Sequence, residues 1–161
     1  MTVQRAGSRS GFSSRAGRTG IAMTSRILLV DDEDRILDVL TCMFKEIGWD
    51  VATAATPAEA LRLVSEEPFR MAFVDNHLGS MDGMELIDQL RATDPNLQFV
   101  IMTGKPNIEM AMRALKNGIA DFLRKPFRFE DLLVSIEHVN RKIDLEQQKK
   151  DLLAAWKDRH E

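Results

Sequence analysis

Residues 27–33 read ILLVDDE: four apolar residues are followed at once by three acids. A short continuous apolar run is typical of a strand buried on both faces of a parallel sheet. Polar residues stand at the end of four predicted strands, namely Asp31 and Asp32 after ILLV (27–30), Asp75 in MAFVD (71–75), Thr103 after FVIM (99–102) and Lys125 after DFLR (121–124). Because parallel strands point the same way, we expect these five side chains to converge on the carboxyl edge of the sheet, where such folds bind ligands.

Helical patterns separate these strands. Apolar residues recur every three or four positions before Gly48, at Ile36, Leu37, Leu40, Phe44 and Ile47. Thr56-Pro57-Ala58-Glu59 predicts a capping box that opens a second helix. Further helices are predicted from Gly83 to about Thr93 and from Pro106 to Gly118. With VATA (51–54) as a weaker edge strand, the alternation predicts an α/β fold with a doubly wound five-stranded parallel sheet.

The last predicted helix begins near Phe129 and has no clear stop. An apolar seam, expected to pack on the sheet, runs through Leu132, Ile136, Val139 and Ile143 and then slips to Leu145, Leu152 and Trp156. The tail from Arg141 carries six basic and five acidic residues, a balance that suits a solvated or self-pairing helix. The methionines at helical spacing are predicted core residues: Met81, Met84, Met102, Met110 and Met112.

Charge and composition exclude several classes of partner and site. The chain has 161 residues and a net charge of −3, but residues 1–25 hold four Arg and no acid. The remainder carries 18 basic and 25 acidic side chains, a net charge of −7 that argues against direct nucleic-acid binding. Cys42 is the only cysteine, which excludes an internal disulfide. No apolar run approaches the roughly 20 residues of a membrane span, so we expect no membrane association and a cytoplasmic location.

The N-terminal segment, residues 1–24, has almost nothing to bury and is predicted to be disordered. Its Arg and Ser content leaves a transit peptide as an alternative. Met23 offers a second start just before the first strand.

The polar residues at the strand ends indicate phosphoryl chemistry. Two carboxylates about 4 Å apart repel by roughly 4 kcal/mol at an effective dielectric near 20, so three in one cleft favour a bound cation. Mg²⁺ suits such a cleft because it takes one or two carboxylates, keeps waters and completes its shell with phosphate oxygens. One Asp can then act as a nucleophile toward phosphorus, with Lys125 neutralising charge.

Five ordered motifs resemble the receiver domain of bacterial two-component response regulators over residues 26–140. They are ILLVDDE (27–33), D-x-x-L-x-x-MDG-x-EL (75–86), IMTG (101–104), NIEMAMRALKNG (107–118) and DFLRKPF (121–127). The resemblance implies a flavodoxin-like strand order 2-1-3-4-5 and a receiver domain over residues 25–140. The helical tail, residues 141–161, resembles the linker of the NtrC-like group.

The resemblance also implies a role for each site residue. Asp75 matches the phosphoacceptor, and the metal ligands are Asp31, Asp32, Asp75 and the main-chain carbonyl of His77. Thr103 matches the switch hydroxyl, Lys125 the phosphate-pairing lysine and Phe122 the switch aromatic. One departure is Gly79, which stands where the family usually has Pro and predicts a more flexible loop.

The implied function is a phosphorylation-dependent switch and not an enzyme acting on other substrates. Its partners would be a sensor histidine kinase or a histidine phosphotransfer protein. Its output face would be formed by the fourth helix, the fifth strand and the last helix. A homodimer would form through that face and the tail. Three alternatives stay open: a Mg²⁺-dependent aspartyl-phosphate phosphohydrolase, an interaction module that does not use phosphate, and a fragment of a larger regulator. The phosphohydrolase is disfavoured because His77 stands where that class needs a second Asp.

Overall fold

The computed structural model describes residues 25–160, so the predictions for residues 1–24, including the start at Met23, lie outside the described part. In residues 25–160 five strands form the main sheet, four helices lie between successive strands and a fifth helix follows the last strand; two further short strands pair separately. The strands are β1 Arg26–Val30, β2 Asp50–Ala54, β3 Met71–Asp75, β4 Gln98–Thr103 and β5 Asp121–Arg124. The helices are α1 Asp34–Glu46, α2 Pro57–Glu66, α3 Gly83–Thr93, α4 Ile108–Lys116 and α5 Phe129–His160. The sheet is parallel, its order is β2-β1-β3-β4-β5, and the predicted fold class is confirmed.

The chain divides into two compact units, the first of which ends at Leu97. In this unit β1 pairs in parallel with β2 on one side and with β3 on the other, and β2 is an edge strand as predicted. Residues 27–30 and 71–74 are fully buried, as expected of strands covered on both faces. Phe44 of α1 packs edge-on against Phe73 at 5.3 Å between ring centroids, so the helix and the sheet share one aromatic core.

Helix caps in this unit differ in detail from the sequence prediction. Thr56 caps α2 by accepting the Glu59 N–H at 3.2 Å, but the Glu59 carboxylate accepts from Ala55 and not from Thr56. A reciprocal capping box instead opens α3. There the Asp82 carboxylate accepts the Met84 N–H at 2.9 Å, and the Glu85 carboxylate accepts the Asp82 N–H at 3.4 Å.

The second unit begins at Gln98 and contains β4, α4, β5 and α5. β4 and β5 pair in parallel, with Ile101 opposite Phe122. α5 buries the first three residues of the predicted seam, Leu132, Ile136 and Val139, and leaves residues 144–160 exposed. The side chain of buried Gln98 donates to Glu146 at 3.4 Å, so contact with β4 extends along α5 as far as that residue.

Helix α4 departs from the prediction. It begins at Ile108 and is capped by Asn107, whose side chain accepts the Met110 N–H at 2.9 Å, so Pro106 precedes the cap. Ala114 is its only buried residue, while Ile108, Met112 and Leu115 are 74 %, 56 % and 77 % exposed. The prediction that Met112 fills the core is therefore wrong, whereas Met84 and Met102 are buried as predicted. Among the described residues, no helix is both long and apolar enough to cross a membrane.

Candidate functional site

The three predicted acidic side chains lie together in the first unit. Asp31 and Asp32 follow β1, and Asp75 ends β3; the register that pairs Val30 with Val74 brings the two strand ends side by side. One carboxylate oxygen from each of the three lies within 4.8 Å of the others. Asp31 is fully buried and Asp75 nearly so, while Asp32 is exposed. The cluster is therefore anchored in the sheet and open to solvent on one side.

Two hydrogen bonds to main-chain groups fix Asp31. Its N–H donates to the Ala54 carbonyl at 3.2 Å, which ties the turn after β1 to the end of β2. Its carboxylate accepts the Glu33 N–H at 2.9 Å, the short-range bond by which an Asp orders its own turn. The acid is thus held by the local fold and does not need the metal to set its position.

The chemistry of this donor set fits a hard divalent cation. At separations near 4.8 Å two carboxylates repel by on the order of 3 kcal/mol at an effective dielectric of 20, and the exposure of Asp32 lowers that value further. A cation removes the repulsion. Mg²⁺ prefers oxygen ligands and keeps several waters, which the exposed side of the cluster allows.

The segment after Asp75 forms a short hairpin. Two-residue strands His77–Leu78 and Met81–Asp82 pair antiparallel, with His77 opposite Asp82. Gly79 between them has φ +64°, a left-handed conformation that favours glycine and that proline cannot adopt. The hairpin thus supplies a conformational reason for glycine where the family usually has Pro.

Gly83 closes this hairpin onto the end of β3. Its N–H donates to the Asn76 carbonyl at 2.8 Å. A Cβ at this position would lie 3.0 Å from the Asn76 Cα and only 2.3 Å from the Asp75 carbonyl oxygen, and the second distance is closer than real contacts allow. The first residue of α3 therefore touches the main chain of the predicted phosphoacceptor, and only glycine fits there.

Thr103, Lys125 and Phe122 belong to the second unit. Thr103 is the last residue of β4, is nearly buried, and accepts the Lys105 N–H on its hydroxyl at 3.1 Å. The Lys125 N–H donates to the Thr103 carbonyl at 2.8 Å, and the Lys125–Pro126 peptide bond is cis at the predicted turn. Phe122 is half-buried in β5. Within this unit the predicted hydroxyl and ammonium residues are thus main-chain neighbours.

The structure brings together the three acidic side chains of the predicted site. Within residues 25–160, the candidate metal cluster consists of the three carboxylates, and the His77 main-chain carbonyl stays a predicted ligand. Sequence reasoning placed Asp82 and Gly83 in the receiver-like motif and Gly83 at a helix start, but gave neither a role at the site. The capping box was legible as D-x-x-E at residues 82–85, whereas the close approach of Gly83 depends on tertiary packing.

Comparisons with known sequences place the chain in a family. The response regulator receiver domain matches residues 27–137. Transcriptional regulatory protein ZraR of Escherichia coli K12 is 33 % identical over 111 residues, which cover 69 % of this chain and 25 % of ZraR. Alginate biosynthesis transcriptional regulatory protein AlgB of Pseudomonas putida is 39 % identical over 101 residues, 63 % of this chain and 22 % of AlgB. The chain thus spans about a quarter of the length of these relatives.

Solved structures agree with that match. A CheY-like receiver domain protein from Methanospirillum hungatei has a TM-score of 0.69 at 31 % identity. The aligned part covers 78 % of this chain and 98 % of the Methanospirillum hungatei chain. NtrX from Brucella abortus has a TM-score of 0.74 at 32 % identity, covering 81 % of this chain and 30 % of its own. A response regulator from Burkholderia pseudomallei has a TM-score of 0.67 at 29 % identity, and the aligned part covers 80 % of this chain and 74 % of that protein's chain. Its structure was solved with a phosphorylated aspartic acid and a calcium ion. Because the family match spans most of the chain, residues 27–137 belong to the response regulator receiver domain family, a signalling module of two-component systems.

Proposed function

We propose that the chain is a phosphorylation-dependent switch that takes a phosphoryl group onto Asp75 from a sensor histidine kinase or a histidine phosphotransfer protein. The observation that carries the proposal is the carboxylate cluster at the paired ends of β1 and β3, in a chain of the receiver family. The Burkholderia pseudomallei relative supports it, because that protein carries a phosphorylated aspartic acid together with a divalent cation. Phosphotransfer of this kind is expected to take place in the cytoplasm.

The proposed reaction is a nucleophilic displacement. A carboxylate oxygen of Asp75 attacks phosphorus, the phosphorus–nitrogen bond of the donor breaks, and the imidazole leaves with the electron pair. Asp31, Asp32, Asp75 and the His77 carbonyl would hold Mg²⁺, which when bound neutralises charge on the transferring oxygens. Lys125 pairs with a phosphate oxygen, and later attack of water on phosphorus releases inorganic phosphate and returns the Asp75 carboxylate. The chain thereby catalyses only its own phosphorylation and dephosphorylation.

The conformational change caused by phosphorylation is proposed to reach partner proteins through the face formed by α4, β5 and α5. A phosphoryl group on Asp75 offers a new hydrogen-bond acceptor to the Thr103 hydroxyl, and movement there lets Phe122 turn inward. The exposed apolar residues of α4, Ile108, Met112 and Leu115, give this face a surface that favours contact with another protein. A second copy of the chain is one such partner, paired along this face and along exposed Leu145 and Leu152 of α5.

The direct test is intact-mass analysis after incubation with acetyl phosphate, with and without Mg²⁺. We expect the mass of one phosphoryl group to be gained only with Mg²⁺ and to be lost in Asp75→Asn, which keeps the shape but removes the nucleophile. An Asp75→Asn protein that gains the same mass would defeat the assignment. Multiple turnover of a phosphomonoester substrate would instead favour the phosphohydrolase alternative.

A further inference from the structure

A second cluster of chemically capable side chains lies in the second unit, away from the strand ends that carry Thr103 and Lys125. Asp121, the first residue of β5, accepts the Ser135 hydroxyl at 2.9 Å on one carboxylate oxygen. The same oxygen lies 2.9 Å from Nδ1 of His138. Ser135 is 2 % exposed, whereas the side chains of Asp121 and His138 are 24 % and 43 % exposed. We call these three residues the Asp121 clamp.

The Asp121 clamp has the composition of a hydrolase triad but not its connectivity. A nucleophilic serine needs a hydrogen bond to the imidazole that takes its proton, and here the hydroxyl bonds to the carboxylate. Ser135 is also too deeply buried for a substrate to reach it. Acyl transfer is therefore ruled out for this cluster, and its role must be sought in how it joins two elements.

The clamp supplies directionality that the neighbouring apolar contacts lack. Leu132, Ile136 and Val139 bury the inner face of α5, but apolar burial is non-directional and tolerates small shifts of a helix along a sheet. Ser135 and His138 are three residues apart and lie on one face of the helix, so both reach one carboxylate. Hydrogen bonds to a carboxylate are stronger than those between neutral groups. These two fix both the rotation of α5 about its axis and its position along that axis.

The position of Asp121 ties this attachment to the switch. It directly precedes Phe122 in β5 and lies opposite Val100 in the register with β4. We infer that Asp121 is a positioning residue: it holds α5 in register on β5, so that rearrangement at Phe122 is passed to α5 and its exposed continuation, residues 144–160. The inference rests on the proposed function and adds a specific mechanical link to it.

Hydrogen–deuterium exchange on the full chain tests the link, with Mg²⁺ and beryllofluoride as the phosphoryl mimic. In the native chain we expect beryllofluoride to change exchange in the loop 103–107 and also in α5. In Asp121→Ala the loop change persists, the α5 change falls by more than half, and basal exchange of residues 129–143 rises roughly 10-fold, the effect of losing a hydrogen bond to a charged group. Asp121→Asn, which keeps an acceptor oxygen, restores most of the α5 response.

Two further variants separate the link from general loss of stability. Ser135→Ala removes one hydroxyl and should reproduce part of the Asp121→Ala effect even if that protein folds poorly. Glu137→Ala is the matched control, because Glu137 lies on the same turn with its side chain 68 % exposed. A full α5 response in Asp121→Ala overturns the inference and leaves the switch standing. No response to beryllofluoride in the native chain overturns the proposed switch, and the inference with it.

Discussion

At the scale of single residues, Gly83 is the position where the fold constrains the chemistry most closely. Its missing side chain allows α3 to start against the Asp75 main chain. We expect Gly83→Ala to push that main chain away, to lower the free energy of unfolding by roughly 1–3 kcal/mol, and to weaken Mg²⁺ binding. Thermal melts with and without Mg²⁺ measure both effects.

Gly104→Ala is the matched control for Gly83→Ala, since a Cβ at Gly104 meets nothing within 4 Å. It should leave the free energy of unfolding and the Mg²⁺-induced rise in melting temperature close to native values. Equal losses in the two variants would contradict the steric explanation.

Asp32 carries the exposed charge of the cluster, and removing it should relieve repulsion in the metal-free protein. We expect Asp32→Asn to raise the metal-free melting temperature by roughly 2–4 °C and to reduce the further rise on adding millimolar Mg²⁺. Asp38→Asn, at an exposed acid of α1 outside the cluster, serves as control and should keep the native response. A native-sized Mg²⁺ response in Asp32→Asn would argue against a shared metal site.

At the scale of elements, the hairpin after Asp75 makes an unusual prediction. Installing the residue that the family usually carries, through Gly79→Pro, should destabilise the protein by more than about 1 kcal/mol, because proline requires a negative φ where the chain has +64°. Gly79→Asn should fold well, since Asn tolerates the left-handed region. Urea denaturation of the two variants decides the point. A Gly79→Pro protein as stable as the native chain would show that residue 79 does not hold the left-handed conformation in solution.

Elements dominated by local pattern were predictable, and those that depend on tertiary context were not. The β1 and β3 runs and the acids that end them follow from continuous apolar stretches, so the fold and the carboxylate cluster could be predicted. The apolar periodicity of α4 is real, but periodicity gives one apolar face without saying what covers it. The hairpin strands are two residues long, too short to show any period. The Asp121 clamp joins residues from separate elements, which a sequence pattern alone does not reveal.

At the scale of the whole molecule, the continuation of α5 should govern self-association without being needed for folding. Glu146 bonds the buried Gln98, so a chain that ends after Gln147 keeps that bond and loses only residues exposed in the structure. We expect this truncated chain to melt within a few degrees of the full chain and to stay monomeric in sedimentation with beryllofluoride, whereas the full chain associates. Identical sedimentation of the two chains in both states would remove the tail from assembly.

Helix α5 runs without interruption from Phe129 to His160. The part beyond the Glu146–Gln98 contact, residues 147–160, is about 21 Å long at a rise of 1.5 Å per residue, so a tilt of about 10° at its base moves its far end by about 4 Å. If the proposed switch tilts α5, the helix would act as a lever arm: a small angular change on the sheet would move its far end by more than the length of a hydrogen bond. In a Trp49→Phe chain, where Trp156 is the one tryptophan left, the fluorescence anisotropy of Trp156 near the end of that arm would report the motion.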